Sequence, residues 1–185
     1  MTRTQYYTGS SLDGYIATPE HSLDWLVTRQ QDEHGPMNYE AFITDVGALA
    51  MGATTYEWVL DHVFDGDEPA AAQKWPYDLP SWVFTHRDLR VVPGADITFV
   101  RDDVAQVHEQ MVKAADGHNV WVVGGGDLAG QFADAGLLDE VIVMFAPVTL
   151  GAGAPLLPRH LELSLEEVAR NGDFACARYT VVRGQ

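Results

Sequence analysis

Residues Val120 to Asp127 read VWVVGGGD. Four residues of strand type, Val120, Trp121, Val122 and Val123, run straight into Gly124, Gly125 and Gly126. A helical pattern through Leu128, Phe132 and Leu137 follows. A buried strand that ends in bare backbone and opens a helix is one way α/β proteins hold phosphates. Glycine lets the chain turn and lets a ligand approach the main chain. The amino end of the helix offers unpaired N–H groups and positive dipole to an anion. The stretch points to a nucleotide-type ligand, although the same residues also suit a tight strand-to-helix turn that binds nothing.

Strand and helix patterns alternate on both sides of this stretch. Strands are expected at residues 4–10, 48–51, 81–85, 96–100, 120–123 and 140–146. Residues 161–169 and 174–183 should close the sheet as an antiparallel pair at its edge. Helices are expected at 24–31, at 38–46 just past Pro36, at 52–60, and after Asp102 and Asp103 to about 115. In the last of these Val104, Val107, Met111 and Val112 recur at helical spacing, and the two aspartates are read as caps. Residues 129–135 form a further helix that Gly136 can end. Residues 65–80, rich in Pro, Asp and Ala, read as a surface excursion. The pattern is that of one domain, residues 1–185, with a three-layer α/β/α fold around a mixed, mostly parallel sheet.

Composition narrows the function. The chain has 185 residues, 46% of them hydrophobic, enough for a substantial core. The net charge of -16, with only 11 Lys plus Arg, repels nucleic acid and anionic lipid, so neither is expected as a partner. No apolar run reaches the length of a membrane span. The amino end, MTRTQYYTGSS, lacks an apolar signal core, and the one cysteine, Cys176, has no disulfide partner. A cytoplasmic setting follows from these as an expectation. Cys176 lies in a strand-like segment and is read as packing. The histidines lack metal-ligand spacing, so no metal is expected. No nucleophile elbow, P-loop or Cys pair supports hydrolase or phosphotransferase chemistry.

Four segments carry a likeness: SLDGYIA (Ser11–Ala17), GATTYE (Gly52–Glu57), FTHR (Phe84–Arg87) and VVGGGDLAGQFADAGLLDEV (Val122–Val141). In this order and spacing they resemble the dihydrofolate reductase-like superfamily. The nearest likeness is to the RibD C-terminal domain, the reductase half of bifunctional riboflavin-biosynthesis proteins. The resemblance implies NADPH as hydride donor and a cis peptide between Gly124 and Gly125. It places Gly52, Thr54 and Thr55 at the pyrophosphate and Thr85, His86 and Arg87 at the adenosine 2′-phosphate. Val123, the glycines 124–126, Asp127 and Leu128 would take the rest of the pyrophosphate and lie beside the nicotinamide. Asp127 is read as capping the next helix. Ala17, with Ile16, would cover the nicotinamide, on a loop shaped by Asp13 and Gly14.

The chain departs from the riboflavin-pathway pattern mainly on the substrate side. Ala53 stands where the family carries Arg, Tyr15 where it carries Lys, and Tyr56 to Val59 where it carries an Asp-Asn-Pro-type segment. Between Gly35 and Gly47 there is no Arg or Lys to hold a ribose phosphate. The expected substrate is therefore another small heterocycle or conjugated imine. Asp24 is the candidate proton-delivering acid, though it can equally start a helix. Asp13, Trp25, Tyr39 and Trp58 are candidate substrate contacts, the aromatics as stacking surfaces or as packing. The resemblance also implies a homodimer. The apolar run VIVMFAPVTLGAGAPLLP (Val141–Pro158) is its candidate interface, or else ordinary core and a proline-bounded loop. A rival reading from another class is a nucleotide-binding module without turnover.

Overall fold

Asn119–Gly124 forms a strand whose Val120 and Val122 are buried on one face and Trp121 on the other. The apolar run is thus a strand covered on both sides, as parallel sheets require. The computed structural model describes residues 1–63 and 75–183. The chain runs β1 (Thr4–Ser11), β2 (Tyr15–Ala17), α1 (Asp24–Val27), α2 (Tyr39–Thr44), β3 (Val46–Gly52), α3 (Ala53–Val63), β4 (Ser81–Phe84) and β5 (Ile97–Val100). It continues α4 (Val104–Ala114), β6 (Asn119–Gly124), α5 (Gly126–Asp134), β7 (Glu140–Ala146), β8 (Ala154–Pro155), β9 (Leu163–Asn171) and β10 (Phe174–Val181).

Eight strands make one sheet in the order β5-β4-β3-β6-β1-β7-β10-β9. Neighbours from β5 to β7 are parallel. β10 runs antiparallel to both β7 and β9. The expected mixed sheet with an antiparallel pair at its edge is what forms. Side chains alternate along a strand, so the central strands feed two cores. Tyr6, Ala48, Ala50, Val120 and Val122 meet α4 through Val107 and Met111 and α5 through Leu128 and Phe132. Tyr7, Leu49, Met51 and Trp121 meet α3 through Tyr56, Val59 and Leu60, with Leu26 and Phe42 of α1 and α2 packed against them. The result is three layers. Each fully buried large side chain contributes roughly 1.5–3 kcal/mol.

Several local expectations change. The helix expected at 24–31 shortens to the four residues of α1. Asp103 takes the N-cap position of α4, but its side chain makes no capping bond. α5 begins at Gly126, three residues earlier than the apolar spacing indicated, and Gly136 does follow it with positive φ (68°). Of the excursion at 65–80, residues 65–74 lie outside the described residues. Its far end is core: Trp75 is buried and packs on Tyr56 with ring centroids 5.4 Å apart, and Tyr77 meets Trp121 edge-on at 5.9 Å.

Within the run 141–158 the first third, 141–146, belongs to β7 and is ordinary core between β1 and β10, while the rest is loop and β8. Exposed apolar residues lie instead on β9. The β9–β10 register slips at Glu166, so that Leu163, Leu165 and Val168 stand opposite Val181, Tyr179 and Ala177. One face therefore carries all three, with Leu165 and Val168 56% and 65% exposed.

Candidate active site

Strand order decides where the motifs meet. β3, β6 and β1 are adjacent and parallel, so Gly52, Gly124 and the segment Thr8–Gly9 all come to the carboxyl end of the sheet. Open α/β sheets bind ligands at that end. There they line a cavity of about 510 Å³, within the range of small-molecule and cofactor sites.

One part of the wall is main chain. The Gly124–Gly125 peptide is cis. Gly125 is the N-cap of α5 and no side chain caps it, so the first N–H groups of the helix stay available at the cavity. A Cβ on Gly126 would stand 2.2 Å from the Pro155 carbonyl oxygen, so only glycine lets α5 start against the β8 segment. Across the floor, a Cβ on Gly124 would lie 3.1 Å from Thr55 Oγ1, which brings the start of α3 against the end of β6. Ala53 and Thr54 continue this wall.

A second part is the small sheet of β2 and β8, in which Tyr15 pairs with Pro155 and Ala17 with Ala154. Ile16, Ala17, Ala154 and Pro155 line the cavity. The loop before β2 is tied by Asp13, whose carboxylate accepts from Ser11 Oγ at 2.7 Å, Leu150 N at 3.0 Å and Gly151 N at 2.7 Å. Those hydrogen bonds, led by the one from Ser11, lower its pKa from 3.8 to about 2. Asp13 is thus a loop clamp with its oxygens committed to protein donors, and it lies outside the cavity lining.

The remaining wall is apolar and aromatic: Leu23, Leu26, Trp58, Val59, Tyr77 and Phe84. Trp58 is on the cavity wall. Trp25 and Tyr39 lie outside the lining. Trp25 packs into the second core, and Tyr39 sits edge-on to Trp121 at 5.8 Å. Asp24 is exposed in the single turn of α1 and is not on the cavity wall, so the structure does not bring it to the site as an acid. Thr85, His86 and Arg87 also lie outside the lining, which takes Phe84 of that segment. The Thr85 hydroxyl accepts from Arg87 N at 3.0 Å, and the Arg87 guanidinium pairs with Glu57 at 2.8 Å. Gly52, Thr54, Thr55, Val123, the three glycines, Asp127 and Leu128 all line the cavity.

The titratable side chains on the wall, among the described residues, are His21, Tyr77 and Asp127. His21 has positive φ (63°) and its N–H donates to the Thr18 carbonyl at 2.9 Å, in the loop leading to α1. Burial raises the Tyr77 pKa, so the phenol stays protonated. Asp127 does not cap α5. It accepts from Gln131 Nε2 at 3.0 Å and from Arg159 Nη2 at 3.0 Å, and these bonds, Gln131 first, lower its pKa. Sequence reasoning passed over Tyr77, His21 and Pro155. Of these only Pro155 had a local signal, the small-residue run GAGAP that permits close backbone approach.

Among the described residues no group of three or more His, Cys, Asp or Glu is placed to hold a metal ion, and no helix is long and apolar enough to cross a membrane. Cys176 is fully buried in β10, where burial raises its pKa, as the packing reading expects.

Comparison with known proteins agrees with this architecture. The family model of the RibD C-terminal domain matches residues 5–172. The chain is 32% identical over 157 residues to the uncharacterized protein YwjB of Bacillus subtilis (strain 168), covering 83% of this chain and 82% of that protein. Its structure is similar to that of a putative riboflavin biosynthesis protein from Shewanella sp. PV-4, with a TM-score of 0.78 and 25% identity, over 98% of this chain and 99% of that one. It also shares its fold with a diaminohydroxyphosphoribosylaminopyrimidine deaminase/5-amino-6-(5-phosphoribosylamino)uracil reductase from Thermotoga maritima. That match has a TM-score of 0.66 and 16% identity, over 98% of this chain and 57% of the other.

Proposed function

The chain belongs to the RibD C-terminal domain family, and on that premise we propose that it is an NADPH-dependent reductase of a small, flat, uncharged heterocycle or conjugated imine. The observation that carries the proposal is the open cavity whose wall joins the glycine segment 124–126, the start of α3 and an apolar aromatic surface. The residues fit the cofactor. Gly124, Gly125 and Gly126, with the uncapped start of α5, would hold the pyrophosphate, helped by Gly52, Thr54 and Thr55. Ile16 and Ala17 would cover the nicotinamide and exclude water. The bound cofactor supplies hydride. The chain's own task is to place a substrate against it, and Leu23, Leu26, Trp58 and Tyr77 offer the surface for a flat ring.

The absence of Lys and Arg from the described lining favours an uncharged substrate over a ribose phosphate. The rival, a binding module without turnover, would fill the space beside the nicotinamide with Tyr15, Trp25 or Trp58. Neither Tyr15 nor Trp25 lines the cavity, and Trp58 forms its wall without closing it, which supports turnover. We further propose that the protein works in the cytoplasm as a homodimer through the β9 face bearing Leu163, Leu165 and Val168.

Titration with NADPH and NADH tests the reading, following quenching of the five tryptophans and energy transfer to the reduced nicotinamide. Tight NADPH binding with weaker NADH is expected, followed by cofactor consumption in a screen of oxidised heterocycles. Binding of neither cofactor would remove the reductase reading.

A further inference from the structure

The cavity wall carries an anion where a phosphate ligand needs a cation. Asp127, in the first turn of α5, lines it, and among the described residues no Lys or Arg does. Position 53, at the start of α3, is alanine. A guanidinium bonded directly to this wall belongs to Arg159. Its Nη2 donates to Asp127 Oδ1 at 3.0 Å, its Nε to Asp134 Oδ2 at 2.7 Å and its Nη1 to the Pro158 carbonyl at 2.8 Å. The stem lies flat on α5 at Gly130, where a Cβ would come within 2.9 Å of Arg159 Cγ.

Two of these three contacts hold the fork from behind, and the third meets the cavity wall. That third contact is the longer of the two ion pairs, 3.0 Å against 2.7 Å, and both carboxylates are largely exposed. The Asp127 side chain is 68% exposed, and a solvated ion pair contributes little. A phosphate presents more charge and more acceptor oxygens than a carboxylate and suits the planar guanidinium.

We propose that Arg159 is a phosphate-binding residue of the cofactor site. Its Nη2 rests on Asp127 in the structure, and on binding it passes to a phosphate of NADPH, supplying the cation that the described lining lacks. This rests on the reading of the cavity as an NADPH site. The two partners then act in opposite directions: Arg159 holds the cofactor, while Asp127 competes for Arg159 and repels the phosphate.

The test is fluorescence titration of wild type, Arg159→Gln, Arg159→Lys and Asp127→Asn with NADPH and NADH at low ionic strength, with a thermal melt of each. Arg159→Gln should weaken NADPH about tenfold, Arg159→Lys less, and Asp127→Asn should tighten it about threefold, as expected for charge-assisted bonds. Selective loss of NADPH affinity identifies the 2′-phosphate as the partner, and equal loss of both cofactors identifies the pyrophosphate. A purely structural clamp predicts the same sign for both partners, since each substitution breaks the same bridge. Weakening by Asp127→Asn, or unchanged binding in Arg159→Gln while wild type binds, would overturn this proposal and leave the reductase reading standing. Wild type that binds neither cofactor removes both.

Discussion

Gly125 and Gly126 are neighbours in sequence and should respond to alanine in opposite ways. A Cβ on Gly126 would lie 2.2 Å from the Pro155 oxygen and 2.3 Å from the Leu156 oxygen, while ordinary contact begins at 3.4 Å. Both obstacles are main chain, so no rotamer change relieves them. The β8 segment must retreat by about 1 Å, an overpacking cost of roughly 2–3 kcal/mol. The retreat also stretches the 3.0 Å bond that the fully buried Tyr6 hydroxyl donates to the Leu156 carbonyl. For a chain of this length that corresponds to a melting temperature lower by about 4–12 °C. A Cβ on Gly125 meets only Ile16 Cδ1, at 3.9 Å. Gly125→Ala should therefore melt within about 2 °C of wild type, as substitutions without a clash do. It places a methyl group on the cavity wall and should weaken NADPH binding about tenfold or more. Thermal melts and cofactor titrations of both variants decide the matter. A Gly126→Ala protein that melts like wild type would refute the steric account of the β8 contact. Unchanged NADPH affinity in Gly125→Ala would refute the placement of the cofactor over that glycine.

Glu140 is buried and accepts from Gln5 Nε2 and from Arg3 Nη1 at 3.2 Å, with Arg178 Nη1 at 3.5 Å. Arg178→Met leaves that carboxylate short of a partner and should cost on the order of 3 kcal/mol in urea unfolding; Glu140→Gln frees arginines that reach water and should cost about 1–2 kcal/mol. The reverse ranking would contradict the assignment of Glu140 as the desolvated member. Asp13 stabilises the loop through its lowered pKa, so its contribution is full above pH 3.8 and disappears as pH falls through about 2. Wild type should exceed Asp13→Asn in stability by a constant margin at neutral pH, and that margin should close over this acid window; a margin independent of pH would count against the clamp. Leu165→Glu with Val168→Glu should give a monomer by light scattering with an unchanged melting profile at low concentration, whereas a dimer that persists would move the interface off β9.

Much of the fold was legible because it depends on local periodicity. The alternation in β3 and β6, and the 3.6-residue spacing of Val104, Val107 and Met111, state which side chains must be covered, and two covered sheet faces need two helical layers. The glycine end of β6 and the start of α3 were legible for the same reason, since there the backbone itself forms the cavity wall and its conformation is written by adjacent residues. Asp103 and Asp127 show the limit of such reading. Aspartate favours caps, yet neither side chain makes a capping bond, and Asp127 is taken by Arg159, 32 residues away.

What the sequence by itself determined is the strands of the eight-stranded sheet, the main helices that cover it and the bare-backbone wall of the cavity; it read β2 and β8 as loop. Only tertiary structure decided which side chains share that cavity. Tyr77 enters it from a stretch that reads as surface, and His21 from the loop before α1, while Asp24, three residues on, faces solvent. Strand order brings these segments together, and that order comes from burying both faces of the sheet at once. Such a requirement is satisfied by pairings many residues apart and leaves no signature within any one segment.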